Sequence, residues 1–239
     1  MLRMSRTAQP LEIPLCRTIL EAATEIRRQS FALFVMSEAT ESVHKARQTA
    51  SLFFKESQIN PKLYLQRYRQ IHNSTLFGFN CPSPAKLLFR AWCENNQMPW
   101  PNDGMKVDSQ NVAKVLHKIL VECLRCIAKN VPEKFVECPL DYFYYYALGS
   151  IENCSPHVDR GALICVALSE TPGLEVRLAN GEFVCVEEQN IPNKDILCIM
   201  AGDQLLELIP QQEIIPACIH RVKRNLDAPR LSITYELRL

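Results

Sequence analysis

Residues 154–163 read Cys154-Ser155-Pro156-His157-Val158-Asp159-Arg160-Gly161-Ala162-Leu163, which sets a histidine and an aspartate one residue apart just ahead of an apolar run. On an extended chain, residues i and i+2 face the same side, so His157 and Asp159 can reach one point in space. Two ligands hold a metal loosely, and a third has to come from elsewhere. Downstream of Asp159 the sequence carries one further histidine, His220, in PACIHRVKRN. Two imidazoles and one carboxylate on one face leave metal positions open, and that is the donor set of non-haem Fe(II) oxygenases. The open positions are where O2 and an organic co-substrate bind.

The residues that follow ask for an anion. Arg230 and Ser232 lie beyond His220 in RLSITYEL, and on a strand Arg230, Ser232 and Thr234 share a face. An arginine turned inward on an otherwise apolar strand is costly unless it meets an anion. Its planar fork matches a carboxylate bidentately, and a neighbouring hydroxyl adds a donor. A keto acid with a second carboxylate, such as 2-oxoglutarate, would chelate iron at one end and reach Arg230 at the other.

Around this constellation the periodicity changes near residue 135. CRTILEAATEIRRQS spaces Ile19, Leu20, Ala23 and Ile26 on one helix face, and FALFV follows as a short buried strand. ATESVHKARQTASLFFKES predicts a second helix capped at Thr40, and DSQNVAKVLHKILVECLRCIAKN a third capped at Asp108 or Ser109. After residue 135 come DYFYYYAL, ALICVALS, LEVRL, EFVCV, DILCIM, QLLELI and RLSITYELRL, short and rich in β-branched and aromatic residues. Asn180-Gly181 between LEVRLA and EFVCV predicts a two-residue hairpin, since both positions tolerate positive φ. The expected class is α+β: a β-sandwich with N-terminal buttressing helices, residues 1–134 mostly helical, 135–239 β-rich, and 1–239 one unit with no linker.

Composition narrows the function. With 47% hydrophobic and 22% charged residues and a net charge of +1, the chain offers no basic face for nucleic acid or an anionic membrane. No run approaches the ~18 apolar residues of a bilayer span. Eleven cysteines without a paired framework, and a beginning with no apolar signal segment, predict reduced thiols and a cytoplasmic location. Cys123 and Cys126 lack the second pair a structural zinc site needs and are expected in the core.

These residues carry a family resemblance. His157-x-Asp159, His220 in HRV, and Arg230-x-Ser232 resemble the motifs of the isopenicillin N synthase-like Fe(II)/2-oxoglutarate-dependent dioxygenases. GLEV with the NGEFVCV hairpin, AGDQLLELI, and the order LEIPL, helix, FALFV, TASLFFKE are similar to the family's arrangement. YYYA resembles the family's Asn-Tyr-Tyr-Pro, which aligns Tyr146 with its co-substrate tyrosine. The chain departs from the pattern in MSEAT, where the family has Asn-His-Gly after the FALFV-like strand. It also reaches Leu239 directly after the Arg-x-Ser strand, where plant members continue into a helical tail, so a more open mouth is expected. The resemblance implies a double-stranded β-helix of jelly-roll or cupin type. It implies Fe(II) on His157, Asp159 and His220, with 2-oxoglutarate on Arg230, Ser232 and Tyr146. It further implies O2-dependent oxidation of a small-molecule substrate with release of succinate and CO2; a protein partner is left open. Two alternatives stand beside it: an iron oxidase of the same fold that uses no 2-oxoglutarate, and a non-catalytic binding protein that retains the fold.

Overall fold

Helix α1 (Ile19–Gln29) begins where its sequence closes a capping box. The Thr18 hydroxyl accepts from the Glu21 amide, and the Glu21 carboxylate accepts from the Thr18 amide. Ala22, Ala23 and Ile26 face inward, but Leu20 points to solvent, so the buried stripe is narrower than the pattern suggested. Helix α2 (Thr40–Ser57) starts at Thr40 itself, whose hydroxyl donates back to the Met36 carbonyl instead of capping. A short helix α3 spans Pro61–Tyr68. Helix α4 (Asp103–Ile127) starts earlier than Asp108, because the Asn102 side chain accepts from the Met105 amide and caps it there. These statements come from a computed structural model, which describes residues 13–239 except 73–74, 96, 147–151, 190–194, 211 and 225–227; the first half of LEIPL lies outside the described residues.

Among the described residues, thirteen strands form two sheets. In chain order they are β1 (Leu15–Cys16), β2 (Phe31–Val35), β3 (Arg69–His72), β4 (Thr75–Ser83), β5 (Lys86–Ala91), β6 (Leu140–Tyr145) and β7 (Glu152–His157). They continue with β8 (Leu163–Ala167), β9 (Leu174–Arg177), β10 (Phe183–Cys185), β11 (Ile196–Ala201), β12 (His220–Lys223) and β13 (Arg230–Leu237). The nine-stranded sheet runs β1-β2-β11-β8-β13-β6-β5-β4-β3, and the four-stranded sheet runs β10-β9-β12-β7.

Three expectations change. Strands β3, β4 and β5 lie in the part assigned as mostly helical. In KLLFRA the buried Leu87, Phe89 and Ala91 alternate with Lys86, Leu88 and Arg90; a strand with charges on its inner face does not show the usual polar-out pattern. QLLELI is a 3-10 turn over Asp203–Glu207 instead of a strand. The hairpin at Asn180-Gly181 forms, but only Gly181 has positive φ (88°). The Gly181 amide donates to the Leu178 carbonyl and the Leu178 amide to Glu182, a longer loop than the two-residue turn expected. Of the CxxC pair, Cys123 is buried and Cys126 exposed; all eleven thiols are free.

Period-2 alternation gives the large sheet two different faces. Leu140, Tyr142 and Tyr144 of β6, with Leu231, Ile233 and Tyr235 of β13, turn toward the helices and join the main apolar core. A second core between the two sheets includes Phe31, Leu33, Val166, Val176, Cys198 and Met200. It seals one end of that space. At the β13-β6-β5 end the same inner face carries Arg230, Ser232, Asp141, Lys86 and Arg90, and a cavity opens there.

Gly202 packs closely against the segment that carries Asp159, one of the residues lining that cavity. A Cβ at this position would lie 1.8 Å from the Gly161 carbonyl oxygen. The close approach lets the Gly202 amide reach the Ala162 carbonyl (3.1 Å) and the Asp203 amide the Asp159 carbonyl (3.0 Å). Gly202→Ala is expected to cost about 3 kcal/mol, the upper part of the overpacking range, because the clash is with backbone. Urea unfolding measures this, and an unchanged midpoint would contradict it.

Candidate metal centre

His157 ends β7 and His220 begins β12, and the antiparallel register sets them directly opposite each other. Their rings lie 4.3 Å apart, centroid to centroid. Asp159, two residues past the strand end, is held by the Asp203 amide on its carbonyl. Asp159 Oδ1 lies 3.5 Å from His157 Nε2, and Oδ2 lies 3.4 Å from His220 Nε2. One ligand atom from each of the three falls within 4.8 Å of the others, the one such group of three among the described residues.

The second nitrogen of each ring decides what this arrangement can hold. His157 Nδ1 sits 2.8 Å from the Ser155 carbonyl and His220 Nδ1 3.2 Å from the Cys218 carbonyl. A carbonyl only accepts, so each Nδ1 carries the hydrogen and each neutral ring presents its Nε2 lone pair to Asp159. Two lone pairs and a carboxylate facing one point repel unless a cation lies between them. Without a metal, hydrogen bonding to Asp159 draws a proton onto His157, whose pKa rises to about 10. Burial pushes His220 the other way, toward the neutral form that a metal needs.

Beyond the trio lies a cavity of about 110 Å³. At ~30 Å³ per water that is the room of three or four waters. Arg230 lines it and is fully buried. Its Nη1 donates to Glu187 Oε1 (2.8 Å) and to the Thr171 carbonyl (2.8 Å). Its Nε and Nη2 have no hydrogen-bond partner among the described residues. Glu187 in turn accepts from the amides of Ser169, Gly173 and Leu174. Gly173 also leaves room for the arginine, since a Cβ there would stand 3.0 Å from Arg230 Cδ. The guanidinium is therefore clamped on one side and unsatisfied on the other. Buried N–H donors in that state call for an acceptor, and the Ser232 hydroxyl follows Arg230 on the same strand face.

Tyr146 is not brought into this cavity. It follows the wrong parity of β6: its ring stacks on Tyr144 on the helix side, and its hydroxyl donates to the Pro84 carbonyl. Tyr145 lines the cavity instead, in register between Lys86 of β5 and Arg230 of β13. Burial pushes the Tyr145 phenol up, so it stays a neutral donor. The sequence reading also missed Lys86, Arg90 and Glu187. Alternation along KLLFRA was the available signal for the first two; Glu187 follows a short strand and has none. Arg90 forks onto Asp141, with Nε 2.8 Å from Oδ1. A wider mouth of about 440 Å³ adjoins the cavity and shares Arg90, Asp159 and Glu236 with it.

No family model matches the chain, and no curated protein matches it by sequence. Its structure is similar to T7H of Neurospora crassa in complex with alpha-KG: TM-score 0.78, 18% identity, 97% of this chain and 86% of that one covered. It is similar to the dioxygenase for auxin oxidation of rice: TM-score 0.68, 19% identity, 95% and 83% covered. It is similar to the corresponding dioxygenase 1 of Arabidopsis thaliana in its 2-oxoglutarate complex: TM-score 0.66, 18% identity, 95% and 92% covered. The chain thus has the fold of the 2-oxoglutarate oxygenases. Among the described residues, no helix is long and apolar enough to cross a membrane.

Glu187→Ala would leave the Arg230 charge and three amides without their acceptor. Breaking one side of a buried pair costs about 3–5 kcal/mol. Guanidinium unfolding of this variant is expected to show a loss in that range, and a loss below about 1 kcal/mol would mean that water replaces the carboxylate.

Proposed function

We propose that this chain is a non-haem Fe(II)- and 2-oxoglutarate-dependent dioxygenase that oxidises, by hydroxylation, a small organic substrate. The observation that carries the reading is the pairing of two half-satisfied sites on one cavity: three converging electron-rich donors, and a buried guanidinium with two unpartnered nitrogens. The first fits a divalent transition metal with a two-imidazole, one-carboxylate face. The second fits a carboxylate. A molecule that answers both needs a metal-chelating end and a far carboxylate, and 2-oxoglutarate is one. The similarity to structures with alpha-KG or 2-oxoglutarate bound supports the same choice.

In this reading His157, Asp159 and His220 hold Fe(II). Bound iron with 2-oxoglutarate and O2 supplies the oxidising power, with succinate and CO2 as co-products. The residues of the chain do the rest. The carbonyls of Ser155 and Cys218 keep both imidazoles in the ligating tautomer, an outer-shell role that orients the metal ligands. Glu187 and the Thr171 carbonyl hold Arg230 so that Nε and Nη2 meet the distal carboxylate, with the Ser232 hydroxyl beside them. Tyr145 takes the place the sequence assigned to Tyr146. Val166, Leu174 and Val222 form the apolar part of the cavity wall and keep water from the reacting end.

The two facing sheets support reading the core as a double-stranded β-helix, and the large sheet, built from both halves, supports one catalytic unit over 1–239. Free thiols throughout support a reducing compartment, the cytoplasm.

Anaerobic addition of Fe(II) and then 2-oxoglutarate is expected to give a weak visible charge-transfer band, and air is expected to release succinate. His157→Ala is expected to lower Fe(II) affinity at least tenfold, about 1.4 kcal/mol or more. Arg230→Lys, which keeps the charge against Glu187, is expected to weaken 2-oxoglutarate at least tenfold and spare Fe(II). Equal Fe(II) affinity in the wild type and His157→Ala would end the reading.

A further inference from the structure

The small cavity is taken up by the co-substrate in the dioxygenase reading, so the molecule that is oxidised comes to the metal ligands through the adjoining mouth. That mouth is lined by Thr75, Leu76, Arg90, Val158, Asp159, Arg160, Glu236 and Arg238. Its carboxylates are already engaged. Glu236 accepts from Arg238 Nε at 2.8 Å and pairs with Nη2 at 2.7 Å, and Asp159 faces the two imidazoles. Arg90 is matched by Asp141 through its Nε and Nη2. In both pairs the guanidinium uses one edge, which leaves the Nη1 hydrogens for a ligand.

Arg160 is different. It is exposed, lines the same mouth and has no ion pair or hydrogen bond among the described residues. It follows Asp159 directly, so its Cα stands about 3.8 Å from that of a metal ligand. Three guanidinium groups thus line a space that holds two carboxylates, Glu236 paired with Arg238 and Asp159 facing the imidazoles. A cationic substrate meets more guanidiniums than carboxylates there, and a neutral apolar one makes no use of the arginine donors. Leu76 and Val158 supply a small apolar wall, with Val158 40% exposed.

We infer that the substrate is a small organic anion, with its carboxylate or phosphate held by Arg160 and the free edges of Arg90 and Arg238, and its body against Leu76 and Val158. This rests on the dioxygenase reading for what happens to the bound molecule, whereas the anion site itself is a property of the chain. The arrangement sets specificity by charge: an amide or ester of the right acid fits the walls and lacks the group that the guanidiniums seek.

Calorimetric titration of benzoate, phenyl phosphate and benzamide, with and without Fe(II) and 2-oxoglutarate, tests this. Either anion is expected to bind at least tenfold more tightly than benzamide, and the tighter of the two identifies the anionic group. Arg160→Gln is expected to abolish the preference and Arg160→Glu to reverse it, with 2-oxoglutarate affinity unchanged in both. Benzamide binding as well as the anions, or a preference that survives Arg160→Gln, overturns the inference. A chain that forms no Fe(II)–2-oxoglutarate complex but prefers anions through Arg160 fails the dioxygenase reading and keeps the anion site. One that forms the complex and ignores charge does the reverse.

Discussion

The buried pair of Arg230 and Glu187 is the interaction on which the interior depends. An arginine with no solvent exposure carries a desolvation cost of several kcal/mol, which a single contact does not offset. Here the carboxylate opposite it is itself fixed by three backbone amides from the 169–174 segment. The pair therefore ties β13 of the large sheet to the loop that leads into β9 of the small one. It does so asymmetrically, using Nη1 and leaving Nε and Nη2 unanswered. A purely structural arginine would be satisfied on both edges. In the proposed reading, the unsatisfied edge turns a sheet-to-sheet staple into a binding group.

The trio obeys the same logic of fixed geometry with an open end. Cross-strand register sets His220 against His157, two carbonyls choose the tautomer, and Gly202 lets two backbones approach closely enough to place Asp159. None of these devices touches the point where the three donors meet. That point sits between the guanidinium end and the arginine-rich mouth, and in the proposed reading one interior would serve three ligands of different chemistry. Charge separates them: lone pairs for a metal, a half-used guanidinium for the far end of a dicarboxylate, and an unpaired Arg160 for what enters from solvent.

The site was more legible in the sequence than the scaffold around it. His157, Asp159, His220, Arg230 and Ser232 sit on strands or at strand ends, where alternation by two converts spacing directly into a shared face. Tyr146 lies apart from the cavity by the same alternation that brings the others onto it. Five consecutive tyrosine and phenylalanine residues in YFYYYA carry no polarity contrast, so parity could not be read, and the structure turns Tyr145 inward instead. Strand β5 was missed because its inner face carries Lys86 and Arg90; an inside-out strand breaks the usual polarity pattern. QLLELI looked extended from composition, yet it follows a glycine that packs backbone on backbone and curls into a 3-10 turn. Glu187 was invisible because its partner lies more than forty residues downstream and its role is set entirely by tertiary contacts.

The central claim is that three side chains and one guanidinium form a single metal and co-substrate site. Anomalous diffraction at the iron edge tests it most directly, on crystals grown anaerobically with Fe(II) and 2-oxoglutarate. The account predicts one strong peak between His157 Nε2, His220 Nε2 and the Asp159 carboxylate, with dicarboxylate density running from it to Arg230. Iron bound elsewhere, or a peak at the trio with no density reaching Arg230, would contradict it.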